Sequence, residues 1–166
     1  KKMISLKGVP AVNNNSQGGL LDVLFDKKNK NLYLTFSCPM KKEITTCLFK
    51  GKIDSKTGTV TGQIIFEAKA LSSNKIHYGS RLLLTDKDEL FMTVGERNER
   101  DLAQSLNVHN GKVLRLTLEG KAYDGNPFSK EKGLAEIYSY GHRNPQGIAQ
   151  NINGDILECE FGPRGG

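Results

Sequence analysis

Residues 79–95 read GSRLLLTDKDELFMTVG, and this stretch decides the fold class. Two short apolar runs flank a charged segment of the kind found in turns, so the pattern predicts an antiparallel hairpin. The stretches GLLDVLFDKKNKNLYLTFS (19–37) and GIAQNINGDILECEFG (147–162) follow the same plan, and each begins with a glycine. The three starts lie 60 and 68 residues apart. The chain therefore contains a hairpin repeat of nearly constant period.

The remaining apolar runs are also short, rich in branched and aromatic residues, and separated by Gly, Asn, Asp and Lys. Residues 99–108 form the one segment whose pattern fits a helical turn or two. Regular short strands without alternating helices indicate an all-β sandwich, barrel or propeller. The repeat favours a β-propeller of four-stranded blades over residues 1–166, with about three blade repeats. Their innermost strands are expected to start near Gly19, Gly79 and Gly147.

Composition is that of an ordinary globular protein, with 37% hydrophobic and 25% charged residues and a net charge of +6. No apolar run approaches the roughly 18 residues that suggest a membrane-spanning helix. The basic residues are scattered through turns and are not interleaved with stacking aromatics, which speaks against nucleic-acid binding. The N-terminal residues lack the apolar core of a signal peptide, although such a peptide is removed on export.

The three cysteines show no CxxC spacing, so a sulfur-ligated metal is not expected. Cys38 and Cys47 fall on the two arms of a hairpin centred near residues 40–45, where they would face each other. They could form a cross-strand disulfide, which suits an oxidising compartment, or remain two buried thiols. Cys159 is left without a partner in either case.

Polar residues precede each repeat glycine, at Gln17, at 77–78 and at 143–146. In a propeller these positions reach the same end of the central channel. The loops that follow the second strands, at 95–98 and 162–164, return to that end. The sequence thus predicts a polar, ionisable ring at one channel mouth, which is a natural place for a small-molecule site.

Seven motifs in unbroken order resemble the soluble PQQ-dependent sugar dehydrogenases, six-bladed propellers that include glucose and aldose sugar dehydrogenases. They are QGGLLDV (17–23), HYGSRL (77–82), TVGER (93–97), HNGKVLRL (109–116), DGNPF (124–128), IYSYGHRNPQG (137–147) and GPRGG (162–166).

The resemblance implies oxidation of a sugar at its anomeric carbon by hydride transfer to the quinone. His77 matches the family's general base, which takes the hydroxyl proton. A neutral imidazole is well suited to this work near pH 7. Gln17 matches a residue near the sugar. Ile76 and Phe161 differ from polar residues of some family members, so the identity of the sugar stays open.

The resemblance also implies two cofactors, PQQ and calcium. Arg143 and Asn144 match residues that contact PQQ. Gly162 and Pro163 match positions whose main-chain carbonyls hold the calcium ion. Calcium prefers oxygen ligands with flexible coordination, and main-chain carbonyls supply them.

Other interpretations of these residues remain. Arg143 could brace a turn through carbonyl groups, and a histidine before a strand is more often a loop residue than a base. His109 and His142 are interpreted as loop residues, and Glu96 and Asp101 as surface or loop-bracing carboxylates. The alternative function is a propeller that binds or interacts without catalysis.

A six-bladed propeller at 60 to 68 residues per blade needs more than twice this length. The chain is therefore expected to be about half of such a propeller, a fragment that holds PQQ weakly or not at all by itself. Exposed blade edges tend to pair with another chain, so self-association is expected. The resemblance implies a periplasmic or secreted protein.

Overall fold

The computed structural model describes residues 3, 5–40, 43–128 and 133–162. Ten strands and one short 3-10 helix, Arg100–Gln104, make up its regular structure. The first four strands form one antiparallel sheet in chain order: β1 (Leu20–Asp26), β2 (Asn31–Met40), β3 (Glu43–Asp54) and β4 (Thr59–Glu67). The next four form a second such sheet: β5 (Gly79–Leu84), β6 (Leu90–Val94), β7 (Lys112–Leu116) and β8 (Ile137–Tyr140). A third sheet pairs β9 (Pro145–Gln150) with β10 (Ile156–Glu160).

The expected hairpins are present, and the 3-10 helix lies inside the segment for which a helical turn is predicted. The first strands begin close to the repeat glycines. Strand β5 begins at Gly79, and β1 begins one residue after Gly19. Strand β9 begins two residues before Gly147, at Pro145, which pairs with Glu160 across a register shift. A proline is tolerated at the first position of a strand, and this explains the earlier start.

The core lies on both faces of the first sheet. Alternate side chains of β2 point in opposite directions, so Leu34 and Phe36 pack on one face while Tyr33 packs on the other. Tyr33 joins a cluster with Leu90 and Leu114 of the second sheet, which places the two sheets face to face. Both faces of β2 are covered, and on the Tyr33 face the buried hydroxyls of Thr35 and Ser37 donate to main-chain carbonyls. Burying one of the large apolar side chains contributes roughly 1.5–3 kcal/mol.

The first strands of the three sheets lie side by side, and Arg81 of β5 connects them. Its Nε donates to the carbonyl of Gln146 on β9 at 2.9 Å, and its Nη1 donates to the carbonyl of Leu21 on β1 at 3.3 Å. The main-chain N–H of Leu82 also donates to the carboxylate of Asp22 at 2.8 Å. This contact of three first strands is the geometry expected around a propeller channel.

Cys38 and Cys47 form a disulfide between β2 and β3, with their Cα atoms 5.9 Å apart. The expectation that they face each other is wrong in register, because Cys38 pairs with Thr45 and Cys47 pairs with Phe36. The bridge therefore joins diagonal neighbours on one face of the sheet. Cys159 is free and exposed. Within the described ranges, no helix is long and apolar enough to cross a membrane.

Candidate functional site

His77 lies near the end of the loop between β4 and β5, in an unusual backbone conformation. Its φ is +54°, in the left-handed region that is strained for a residue with a Cβ. The side-chain oxygen of Gln17 accepts a hydrogen bond from the His77 N–H at 2.8 Å, and the Gln17 N–H donates to the carbonyl of Lys75 at 3.1 Å. Gln17, in the turn before β1, thus holds the loop in place. Strain of this kind persists where surrounding contacts enforce it, and it concentrates at functional sites.

The imidazole of His77 contacts a buried carboxylate. Its Nδ1 lies 2.9 Å from Oε1 of Glu96, and the two side chains are 5% and 1% exposed. Glu96 follows β6 in a tight turn, where the N–H of Asn98 donates to its other oxygen. Gly95 makes the approach possible, since a Cβ at that position would lie 2.0 Å from the carbonyl oxygen of His77. The pair depends on a glycine between the strand and the turn.

Residues 141–145 bring Arg143 and Asn144 to the same place. The Glu96 N–H donates to the carbonyl of Arg143 at 2.8 Å, and the side-chain oxygen of Asn144 accepts from the Gly79 N–H at 3.1 Å. Glu160 of β10 accepts from the N–H groups of Arg143 and Asn144, at 2.5 and 3.3 Å. These bonds connect the loop before β9 to the start of β5 and to the turn after β6.

The guanidinium of Arg143 has unused donor capacity. Its Nη1 donates to the carbonyl of Phe161 at 2.7 Å, and its carbon lies 5.2 Å from the centre of the Phe161 ring. Its Nε is buried without a hydrogen-bond partner in the described part of the chain. The nearest carboxylate oxygen, Oε1 of Glu96, is 3.9 Å from it, which is a charge contact but too long for a hydrogen bond. A buried donor of this kind suits an anionic ligand.

Gly162 lies next to this loop. The N–H of Phe161, the residue before it, donates to the carbonyl of Asn144 at 3.1 Å, and Gly162 itself is buried. Pro163, the other position matched to calcium, lies outside the described residues. The structure therefore places Gly162 beside Arg143 and Asn144.

A cavity of about 600 Å³ opens beside these groups. Its lining includes Gln17, Tyr78, Asn144, Glu160 and Phe161. The side chains of His77 and Arg143 are not part of the lining. Each is hydrogen-bonded to a residue of the lining: the main-chain N–H of His77 donates to Gln17, and the guanidinium of Arg143 donates to the carbonyl of Phe161. The volume is in the range of small-molecule sites.

Burial shifts the pKa values of two side chains close to Glu160. It lowers the pKa of the His142 imidazole, although the charge of Glu160 opposes this effect. Burial also raises the pKa of the Glu158 carboxyl, and the charge of Glu160 adds to the shift. These three side chains offer ligand atoms within 4.8 Å of one another. Glu160 accepts hydrogen bonds from the main-chain N–H groups of Arg143 and Asn144. We therefore interpret the cluster as part of the hydrogen-bond network that holds the loop before β9.

The structure brings together Gln17, His77, Arg143, Asn144 and Gly162, all of the predicted site residues that it describes. Two carboxylates at the site are absent from the sequence-based prediction. The interpretation of Glu96 as a surface carboxylate is wrong, since its side chain is 1% exposed and lies against His77. The loop-bracing alternative agrees with the hydrogen bond that it accepts from the N–H of Asn98. No sequence motif marks Glu160. The TVGER motif, whose loop is predicted to reach the same channel end as HYGSRL, is the sequence signal from which a role of Glu96 at the site could be inferred.

The sequence is similar to those of known sugar dehydrogenases. Residues 1–166 match the family model of glucose and sorbosone dehydrogenases. The chain is 40% identical over 168 residues to the aldose sugar dehydrogenase YliI of Escherichia coli, covering 97% of this chain and 45% of that protein. It is 32% identical over 185 residues to quinoprotein glucose dehydrogenase B of Acinetobacter calcoaceticus, covering 93% of this chain and 38% of that protein.

Solved structures give the same result. The soluble aldose sugar dehydrogenase of Escherichia coli in the apo form superposes with a TM-score of 0.92 at 38% identity, over 98% of this chain and 49% of that one. The PQQ-bound aldose sugar dehydrogenase of Streptomyces coelicolor superposes with a TM-score of 0.82 at 27% identity, over 95% of this chain and 46% of that one.

The chain spans less than half the length of the curated relatives it matches. With the two consecutive four-stranded sheets, the likeness confirms the prediction of an all-β propeller of which about half is present. The match over the whole chain, together with the order of the motifs, shows that the chain belongs to the glucose and sorbosone dehydrogenase family.

Proposed function

We propose that the protein is a PQQ-dependent sugar dehydrogenase that oxidises an aldose at its anomeric carbon. The observation that carries this proposal is the buried pair of His77 and Glu96 beside a cavity of about 600 Å³. The names of the relatives support the substrate class and the cofactor, since they include aldose sugar dehydrogenases, a quinoprotein glucose dehydrogenase and a PQQ-bound structure.

His77 is proposed as the general base. An ionised carboxylate can only accept hydrogen bonds, so Glu96 fixes the proton of the neutral imidazole on Nδ1. The lone pair then lies on Nε2, which takes the proton of the anomeric hydroxyl when that group comes within hydrogen-bond reach. Glu96 also stabilises the imidazolium that forms, as a carboxylate does behind a catalytic histidine.

PQQ, when bound, supplies the acceptor for the hydride that leaves the anomeric carbon. The residues present fit such a carboxylate-bearing group, because Arg143 carries a buried Nε without a hydrogen-bond partner among the described residues. Arg143 would hold the cofactor by charge and by its planar set of donors. Asn144 would fix its orientation. The main chain of both residues is already secured by Glu160.

The carbonyl groups of Gly162 and Pro163 are proposed as the calcium ligands. A bound calcium ion would supply Lewis-acid stabilisation of developing negative charge. Gly162 is buried, and the preceding residue, Phe161, donates its N–H to the carbonyl of Asn144. Oxygen donors of the main chain match the preference of calcium.

Gln17 is proposed to contact the sugar. It lines the cavity and is exposed, so its amide group is accessible to a hydroxyl. The same side chain accepts the N–H of His77. A sugar that binds Gln17 would therefore lie next to the loop that carries the proposed base, His77.

The disulfide between Cys38 and Cys47 supports a periplasmic or secreted location, because such bonds persist in oxidising compartments. We also propose that exposed apolar side chains of β1, among them Val23 and Phe25, provide a surface for self-association.

The test is dye-linked aldose oxidation by the product of the whole gene, after reconstitution with PQQ and Ca²⁺ and with cofactor binding followed by titration. We expect saturable oxidation of one or more aldoses that requires both additions. A protein that binds no PQQ and oxidises no aldose would reject the enzyme and support a non-catalytic propeller module.

A further inference from the structure

Arg97 is completely buried, and its guanidinium donates hydrogen bonds to main-chain carbonyls. Its Nε donates to Ile76 at 3.0 Å, and its Nη1 donates to Ile44 at 2.8 Å and to Ala70 at 3.2 Å. Its Nη2 donates to the carbonyl of Asn74. Four carbonyls from β3 and from the loop before His77 thus converge on one side chain.

The same guanidinium lies flat against the residue after His77. Its carbon is 3.9 Å from the centre of the Tyr78 ring, which is well inside the range of a cation–π contact. Arg97 therefore holds the residue on each side of His77, one by a hydrogen bond to its carbonyl and the other by its ring.

Arg97 also follows Glu96 directly in the chain, and its own φ of +61° lies in the left-handed region. The turn that places the carboxylate and the side chain that holds the histidine loop are consecutive residues. Moving the guanidinium would move both members of the His77 and Glu96 pair relative to each other.

We propose that Arg97 is a positioning residue that sets the alignment of His77 with Glu96, an inference that rests on the proposed function of that pair. It acts without touching substrate or cofactor, through the carbonyl of Ile76 and the ring of Tyr78. The positive charge of Arg97 accounts for only part of this positioning role. The planar fork of donors matters more, since a lysine offers three donors from one point and cannot reach carbonyls spread around a plane.

The test compares Arg97→Lys with Arg115→Lys as a matched control. Arg115 of β7 is also largely enclosed, donating to Glu89, Gly125 and Asn126, but its partners lie outside the loops of the site. Both substitutions remove a guanidinium from a hydrogen-bonded setting. A merely structural role predicts similar effects for the two.

The first readout is the imidazole ¹⁵N and ¹³C resonances of His77 in the protein without added PQQ, assigned with His77→Gln. We expect Arg97→Lys to displace these resonances toward a mixture of tautomers, and Arg115→Lys to leave them unchanged. This readout needs no activity, so it stands even if the protein oxidises no sugar. Unchanged His77 resonances in a folded Arg97→Lys protein would overturn the proposal.

The second readout is turnover with PQQ and Ca²⁺. We expect kcat to fall about tenfold or more in Arg97→Lys, with the PQQ dissociation constant within about twofold of wild type, as for a group that acts through the base. A loss confined to PQQ affinity would contradict a role in aligning His77.

A second pair of variants keeps the proposal testable if Arg97→Lys does not fold. Tyr78→Phe retains the ring on which the guanidinium lies, and Tyr78→Leu removes it. We expect the His77 resonances to move in the leucine variant and to remain close to wild type in the phenylalanine variant. Equal resonances in both would reject the proposed link through Tyr78.

Discussion

The carboxylate of Glu96 lies 2.9 Å from Nδ1 of His77, in a setting where neither side chain is more than 5% exposed. A buried ionised group is costly unless it is paired and hydrogen-bonded. Here the carboxylate has the imidazole, the N–H of Asn98 and the nearby charge of Arg143. These contacts compensate the burial of the carboxylate and hold the imidazole ring in one orientation.

Replacing His77 by Ala is expected to remove the base while leaving the cofactor site in place. Turnover should fall by about 10² or more, the usual share of general acid–base catalysis, with PQQ affinity largely kept. The measurement is dye-linked aldose oxidation next to a PQQ titration of the same preparation. Normal turnover in this variant would exclude His77 as the base and leave the family assignment unaffected.

Glu96→Gln tests the tautomer. The amide keeps the shape of the side chain but can present N–H₂ to Nδ1, which would shift the imidazole proton to Nε2 and block the base. We expect kcat to fall by roughly 10²-fold with little change in PQQ binding. Glu89→Gln, which disturbs a carboxylate paired with Arg115, serves as the control and should retain turnover. Equal kcat values for the two variants would mean that Glu96 only braces its turn.

Arg143→Ala should behave differently from His77→Ala. A cation that faces a bound anion acts on the ground state and on developing charge alike, so both PQQ affinity and kcat should fall, each by tenfold or more. Titration of PQQ before the assay separates the two effects. If affinity is unchanged, the guanidinium serves Phe161 and the loop and does not hold the cofactor.

Stability is expected to fall on mild acidification because of His109. Its Nδ1 accepts the N–H of Lys69 at 2.9 Å, and protonation would turn this acceptor into a donor. Burial lowers the pKa of His109, an effect that Glu136 opposes. The unfolded chain therefore binds the proton first, below about pH 6.5, and the free energy of unfolding decreases from there down to the lower folded pKa.

Denaturant unfolding between pH 7.5 and 5.5 measures this loss, which for one proton cannot exceed about 1.4 kcal/mol per pH unit. His109→Gln retains an acceptor for Lys69 without a titrating ring, so its pH dependence should be shallower than that of wild type. Identical slopes would assign the loss to another group, such as His142, whose pKa burial also lowers.

Strand positions were predictable because each hairpin carries its own signal, an apolar run on either side of a polar turn. The burial of Glu96 was not. In sequence, GER after a strand is typical of an exposed turn. Arg143, which lies against Glu96 in the structure, comes 47 positions later and so does not contribute to the local sequence pattern. The diagonal pairing of Cys38 and Cys47 likewise depends on the register of β2 and β3, in which Met40 pairs with Glu43, and composition does not fix that register.

Most predicted site residues could be found because they lie in loops that flank the predicted strands, and the family motifs gave them their proposed roles. Arg97 could not be assigned in this way. Its hydrogen-bond partners are four main-chain carbonyls, and a carbonyl leaves no trace in the identity of the residue that carries it.

Arg81 bears on how the sheets come apart. In a linear repeat array each unit contacts its neighbours through separate surfaces, and the ends can fray while the middle holds. Here the guanidinium of Arg81 connects the first strands of three sheets. Detaching β1 or β9 from β5 therefore breaks one of its hydrogen bonds. The opening reactions seen by amide hydrogen exchange should accordingly include β1, β5 and β9 as one cooperative unit, with the outer strands exchanging in smaller, independent events.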